Sequence, residues 1–170
     1  MVADMSERVP APGDLALIEA LVNTLDIETD TDELDTAAGR APFGLTEPEL
    51  PAAREIRESL RATLLAHAGH PAHRETTPLG ELLSRAPLLI AIDPADGTAS
   101  LEPATEAPLL SRVASAIAQS LVTGTWLRLK ACEAPTCHWA YYDRSPAGRG
   151  RWCSMAVCGA RAKMRRYRAK

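Results

Sequence analysis

The chain has 170 residues, 46% apolar and 24% charged, with a formal net charge of −3. That length holds one medium domain, or one domain and a small module, and the balance is that of a globular chain. No run approaches the roughly 20 apolar residues of a membrane span, and the N-terminal MVADMSERVPAPGD has no apolar signal-peptide core, so a cytoplasmic location is expected.

The near-neutral total hides an opposition. From Met1 to Thr125 there are 8 Arg and no Lys against 20 acidic residues, a net −12, whereas Trp126 to Lys170 carries 11 Lys and Arg against 2 acidic residues, a net +9. Asymmetry of this kind marks a tail that meets nucleic acid or another polyanion.

Residues 1–13 carry two prolines and no periodic pattern, and read as a flexible lead-in. Asp14 is placed to cap a helix to about Leu25, with Leu15, Ile18, Leu21, Val22 and Leu25 on one apolar face. Asn23 and Thr24 near its end either belong to a polar site or close the helix by bonding nearby backbone. The second is the expected behaviour of such side chains. In the acidic stretch 26–44, Glu28, Asp30 and Asp32 lead to no glycine where an EF-hand loop requires one. A solvated loop is predicted there.

Thr46 and Glu49 have capping-box spacing, with Pro51 allowing a later helix start. Ala53, Ile56, Leu60 and Leu64 then line one face of a helix ending near Gly69. Arg54, Glu55, Arg57, Glu58 and Arg61 are assigned to its solvent side. His67, His70 and His73 recur every third residue across the helix end; without an H-E-x-x-H frame they read as exposed loop residues rather than metal ligands. Thr77-Pro78 starts a short helix with Leu79, Leu82 and Leu83 inward. Leu88–Asp93 and Thr98–Glu102 around PADG form a β-hairpin. A helix over about Pro108 to Val122 buries Leu110, Val113, Ala114, Ile117 and Leu121 before Gly124 stops it.

All four cysteines, Cys132, Cys137, Cys153 and Cys158, fall in the last quarter as two C-x4-C pairs fifteen residues apart. Four thiolates suit a tetrahedral zinc ion, and so closed a ligand set is structural. Trp126 to Ala131 alternates, Leu127 and Leu129 against Arg128 and Lys130, which predicts a strand. Trp139 to Asp143 predicts a second strand, and the segment after Cys158 a helix. A module this short and poor in apolar side chains needs a staple, and zinc supplies on the order of 10 kcal/mol of coupled folding energy. His138 reads as a neighbour of the site, since four cysteines fill the tetrahedron. The expected fold is α+β: a lead-in (1–13), a mainly helical domain with a small β-hairpin (14–125), and a zinc-stapled ββα-type module (126–170).

The stretch RLKACEAPTCHWAYYD, followed by RWCSMAVCGARAK, resembles the CGNR zinc-finger family of bacterial proteins. The likeness rests on both cysteine pairs, the aromatic segment before Asp143, Ser145, Gly148, Arg149, Arg151 and the run WCSM. LVNT at 21–24 and the PADG hairpin are similar to the ABATE domain that precedes this finger, which implies a stress-induced transcription regulator. The chain departs from the family at Ala160, where CGNR has asparagine, and at Pro146, Ala147 and Gly150, where Arg, Asn and Arg are usual.

Arg149, Arg151, Arg161, Lys163, Arg165, Arg166 and Arg168, with Lys170, crowd the turn and last helix. Cations at this density bind phosphate through counterion release. Trp139, Tyr141, Tyr142, Trp152 and Tyr167 lie among them, to stack on bases or to form the module's own core. With Ala160 in place of asparagine, a preferred adenine reader, backbone binding with weak sequence preference is expected. The leading expectation is a transcription regulator binding nucleic acid, first of all DNA. One alternative is an interaction module, with the acidic domain docked on the cationic one within the chain or in a homodimer. Another is a small-effector sensor, with Asn23 and Thr24 as the ligand residues that family analogy suggests. No Ser–His–Asp signature or phosphate-binding glycine loop is present, and a closed set of four thiolates leaves zinc no place for an activated water, so no enzyme is expected.

Overall fold

The computed structural model describes residues 9–104 and 109–169. The first eight residues of the lead-in, Pro108 at the start of the last large helix, and Lys170 lie outside the described residues. Where described, the lead-in is anchored: Ala11 is buried and its N–H donates to Glu19 Oε2 at 2.6 Å.

Helix α1 (Leu15–Asn23) buries Leu15, Ile18, Leu21 and Val22, the face its periodicity predicts. The acidic stretch that follows is more ordered than a solvated loop. Two short strands, β1 (Leu25–Asp26) and β2 (Thr31–Asp32), pair antiparallel. A 3-10 turn at Glu33–Asp35 leads to α2 (Ala37–Arg40), whose cap Thr36 accepts at Oγ1 from the Gly39 N–H at 3.0 Å. The reason is two apolar anchors, Leu34 and Phe43, both buried in the core.

The capping box forms on a 3-10 turn, Glu47–Glu49, where the Thr46 N–H donates to Glu49 Oε2 at 2.8 Å. Helix α3 (Leu50–His67) continues from it and buries Ala53, Ile56, Leu60 and Leu64 as predicted. Its assigned solvent side is a correction. Arg57, Glu58 and Arg61 are only 3%, 2% and 0% exposed, because α3 packs against both α1 and the C-terminal strands. A helix covered on two sides cannot keep one charged face in water. Glu55 remains exposed and Arg54 half-buried.

Helix α4 (Leu79–Leu83) follows, then the hairpin of β3 (Leu88–Ile92) and β4 (Ala99–Pro103), with Leu88 opposite Pro103 and Ile92 opposite Ala99. Gly97 takes the left-handed turn position, φ 74°. Helix α5 (Leu109–Val122) buries Leu109, Val113, Ala114, Ala116 and Ile117. Leu121, predicted inward, is 62% exposed, since the buried stripe runs one position off the predicted one at its end, through Ser120.

The C-terminal part forms the antiparallel strands β5 (Leu129–Ala131) and β6 (Ala140–Tyr142), with Leu129 opposite Tyr142 and Ala131 opposite Ala140, and then α6 (Ala160–Arg168). The first strand starts later than predicted because Trp126–Arg128 is a 3-10 turn. Leu127 is therefore exposed while Leu129 is buried, and Lys130, assigned to the solvent face, is 5% exposed. The core of α1, α3 and α5 continues without interruption into Leu129, Ala131 and Ala140. The fold is thus α+β, a helical body with small hairpins and a C-terminal cysteine module built onto the same core.

Candidate metal centre

Three of the four cysteines are delivered by distinct local devices. Cys132 follows β5 directly, and its N–H donates to Trp139 O at 2.9 Å, extending the ladder. The chain then turns: the Cys137 N–H donates to Ala134 O at 2.9 Å, and His138 adopts φ 49°, a left-handed conformation rare outside glycine. This reversal points Cys137 back toward Cys132 while leaving Ala140 free to pair in β6. Ser154 caps the next turn, accepting at Oγ from Val157 N–H at 3.3 Å, so Cys158 enters on a wide π-type turn, Met155–Gly159, ahead of α6. Gly159 is closely packed there, since a Cβ would stand 3.1 Å from Met155 Sδ and 3.3 Å from Trp152 Cδ1.

The four Sγ atoms lie within 4.8 Å of one another and form, among the described residues, the single cluster of three or more ligand groups able to hold an ion. Cys137 and Cys153 are 3.6 Å apart, Cys153 and Cys158 3.8 Å. A tetrahedron with Zn–S bonds of about 2.3 Å has edges of about 3.8 Å. Two edges of the cluster thus already match a zinc tetrahedron, and the whole set is close enough to close on one ion. Without a cation, this crowding disfavours ionisation. The Cys137 thiol is pushed up by hydrogen bonding to Cys132 and Cys153 and then by burial, and Cys158 by burial and the neighbouring Cys132. A divalent ion reverses that balance, because it is bound by thiolates. Cys132 and Cys158 are buried and the other two half-buried, with Ala134, Tyr141, Trp152 and Val157 packed around them. The centre is a structural zinc site with no open coordination position.

Beside it, the loop 143–150 is fixed by a buried ion pair. Lys130 Nζ donates to Asp143 Oδ2 at 2.8 Å and to Gly148 O, while Asp143 accepts from Ser145 N–H at 3.0 Å and Gly150 N–H at 2.7 Å. These partners overcome the burial that would raise it, and hold the Asp143 carboxyl far below the usual range. Arg128 Nη1 ties down the Asp143 and Ser145 carbonyls at 3.0 and 2.7 Å. Arg128 and Lys130 are therefore internal scaffolding.

The seven predicted phosphate-binding cations divide. Arg151 forks onto both carboxylate oxygens of Glu133 and lies over the Trp152 ring, and Arg161 meets both oxygens of Glu28 at 2.9 Å. Arg149, Lys163, Arg165, Arg166 and Arg168 are exposed and, among the described residues, form no ion pair. Helix α6 buries none of its residues. Of the five aromatics, Tyr141 is buried with its hydroxyl donating to Gly150 O at 2.8 Å, and Trp139, Tyr142 and Trp152 are half-buried. Arg144 lies over the ring of Tyr142. Tyr167 alone among them is fully open, at 78% exposure.

Thr24 closes α1 locally, donating from Oγ1 to Leu21 O at 2.8 Å, as expected. Asn23 does not. Its Nδ2 donates to Ala140 O at 3.0 Å and its Oδ1 accepts from Ala140 N–H at 2.7 Å, a two-point clamp on β6 across 117 residues of sequence. The histidines are also corrected: they are half-buried, and the rings of His67 and His73 bond to other segments while that of His70 only approaches one. His67 Nδ1 is 2.8 Å from Leu129 O, His73 Nε2 is 2.9 Å from Glu58 Oε2, and His70 Nε2 is 3.4 Å from Glu133 Oε2. Sequence reasoning missed Arg61 and Glu58, and named Asn23 as a helix-end or effector residue, not as a clamp on β6. The one local signal was Glu58 with Arg61 three residues on, a carboxylate and a guanidinium at helical spacing.

Comparison with known proteins agrees with this geometry. Residues 128–170 match the family model described as the CGNR zinc finger. No curated protein matches the chain. No helix among the described residues is long and apolar enough to cross a membrane.

Proposed function

We propose that the protein is a DNA-binding transcription regulator, non-enzymatic and cytoplasmic, that meets the phosphate backbone with α6 of its zinc finger. The observation that carries the reading is the state of α6: Lys163, Arg165, Arg166 and Arg168 are exposed on a helix that buries nothing, with no acidic partner among the described residues. Unpaired guanidinium groups on a projecting helix release counterions when they meet phosphates, and that release is the main source of affinity. Duplex is favoured over single strands, because stacking on bases needs open ring faces, and of the five aromatics only Tyr167 is fully open, Tyr142 and Trp152 each lying under a guanidinium. Sequence preference is weak. The first residue of α6, Ala160, presents a methyl group where the finger family carries an amide.

The test is fluorescence anisotropy on mixed-sequence duplexes across a salt series. With about four phosphate contacts, log K falls by roughly 3 to 4 per log unit of salt. Replacing Arg165 and Arg166 by Ala lowers affinity uniformly across sequences and reduces the slope by roughly 2. Salt-independent or absent binding overturns the proposal.

A second reading, docking of the acidic domain on the cationic module, is supported at one point, the Glu28–Arg161 pair. Here Glu28 competes with phosphate for Arg161. Glu28→Gln raises duplex affinity by roughly twofold, the scale of an exposed pair, and no change removes this reading. An isolated finger is a poor probe of masking, because removing the helical domain uncovers Leu129, Ala131 and Ala140.

A further inference from the structure

We infer that Arg61 is a positioning residue for the zinc knuckle: the helical body, through this one buried guanidinium, holds the backbone that presents Cys137, and zinc retention depends on it. Arg61 is fully buried and each nitrogen of its fork donates one hydrogen bond. Nε donates to Glu58 Oε2 at 3.1 Å, Nη2 to Val22 O at 2.7 Å, and Nη1 to His138 O at 2.8 Å, 77 residues away. Its anchor points thus lie on α3, α1 and the knuckle at once, and a planar guanidinium fixes their relative places as an ammonium could not.

What Arg61 grips at the knuckle is its strained point. His138 carries the left-handed φ of 49°, a conformation that a non-glycine residue keeps only where its surroundings over-determine it. Three bonds do so: its N–H to Ala134 O at 3.3 Å, its ring Nδ1 at 3.0 Å from Cys132 O, and its carbonyl to Arg61. The first two come from the knuckle itself and form only when the knuckle is already folded. Among the described residues, Arg61 supplies the one hydrogen bond to His138 from outside the knuckle, beside the His73 ring, whose centroid lies 5.7 Å from that of His138. Two residues on, Asn23 clamps both polar groups of Ala140, so the segment from Cys137 into β6 is held by the helical body on either side of residue 139. Groups that orient a metal ligand without touching the metal typically change affinity by 10- to 100-fold when removed. Acting through backbone next to the ligand, Arg61 belongs at the lower end.

The experiment measures zinc release from the full-length zinc-loaded protein to a chromophoric chelator, together with the visible d–d spectrum of the Co²⁺-substituted protein. Arg61→Lys keeps the charge opposite Glu58 but loses the fork. It should release zinc about tenfold faster and distort the cobalt spectrum. Asn23→Ala, which leaves the buried charges untouched, should accelerate release by a smaller factor and carries the test if Arg61→Lys does not fold. Val113→Ala, in the core on α5 away from the knuckle, controls for general destabilisation. Release at the wild-type rate from folded Arg61→Lys and Asn23→Ala proteins overturns the inference. So does equally fast release from Val113→Ala.

Discussion

Replacing Glu58 by Gln tests the buried charge network most directly. Glu58 Oε1 accepts from Arg57 Nε at 2.8 Å, and Oε2 accepts from Arg61 Nε at 3.1 Å, with His73 Nε2 2.9 Å away. Burial alone would raise this carboxyl, but the His73 hydrogen bond and the charges of Arg61 and Arg57 hold it down to about 2. Arg57 keeps a second counter-charge in Asp32, at 2.7 Å. Arg61 keeps only the neutral carbonyls of Val22 and His138. Glutamine therefore strands one buried charge, a change that costs about 3–5 kcal/mol, or a fall in Tm of roughly 10 °C for a chain of this size. The assay is urea unfolding of zinc-loaded wild type and Glu58→Gln. Since the folded carboxyl lies below its ordinary value of 4.5, its contribution is complete above that pH and is lost as pH falls toward about 2. The difference between the two proteins, which cancels acid loss of zinc, should shrink over that window. A difference below about 1 kcal/mol at neutral pH, or one that grows on acidification, would refute the reasoning.

Two further outcomes follow from the finger. Stripping zinc removes on the order of 10 kcal/mol of coupled folding energy, so the module should open and the emission of Trp126, Trp139 and Trp152, the only tryptophans of the chain, should shift to the red; unchanged emission after complete removal counts against a folding role for the metal. Gly150→Ala places a Cβ 2.8 Å from Asp143 Oδ1, and should cost about 1–3 kcal/mol in urea unfolding by forcing the carboxylate off Lys130. A neutral effect there would mean that the loop is loosely held.

Apolar periodicity and cysteine spacing were strong enough to be read along the chain. The inward faces of α1 and α3, the PADG hairpin and the four zinc ligands depend on residues a few positions apart, and local geometry links those positions whatever else the chain does. The seven basic residues were equally visible as a patch, but their availability was not. Glu28 lies 133 residues from Arg161, and no local rule joins them.

The sequence by itself determined where α1, α3, α5 and the PADG hairpin form and that a thiolate site closes the C-terminal module. Only the tertiary structure decided which charges are interior. Arg57, Glu58 and Arg61 look like a solvated helix face until α1 and β5 cover it, and Lys130 looks exposed until the loop 143–150 folds over it. It also decided that Asn23 serves the finger, not its own helix end. The physical reason is common to all of these: a polar group is buried only when its partners arrive with the covering segment, and those partners are set by packing between segments far apart in the chain.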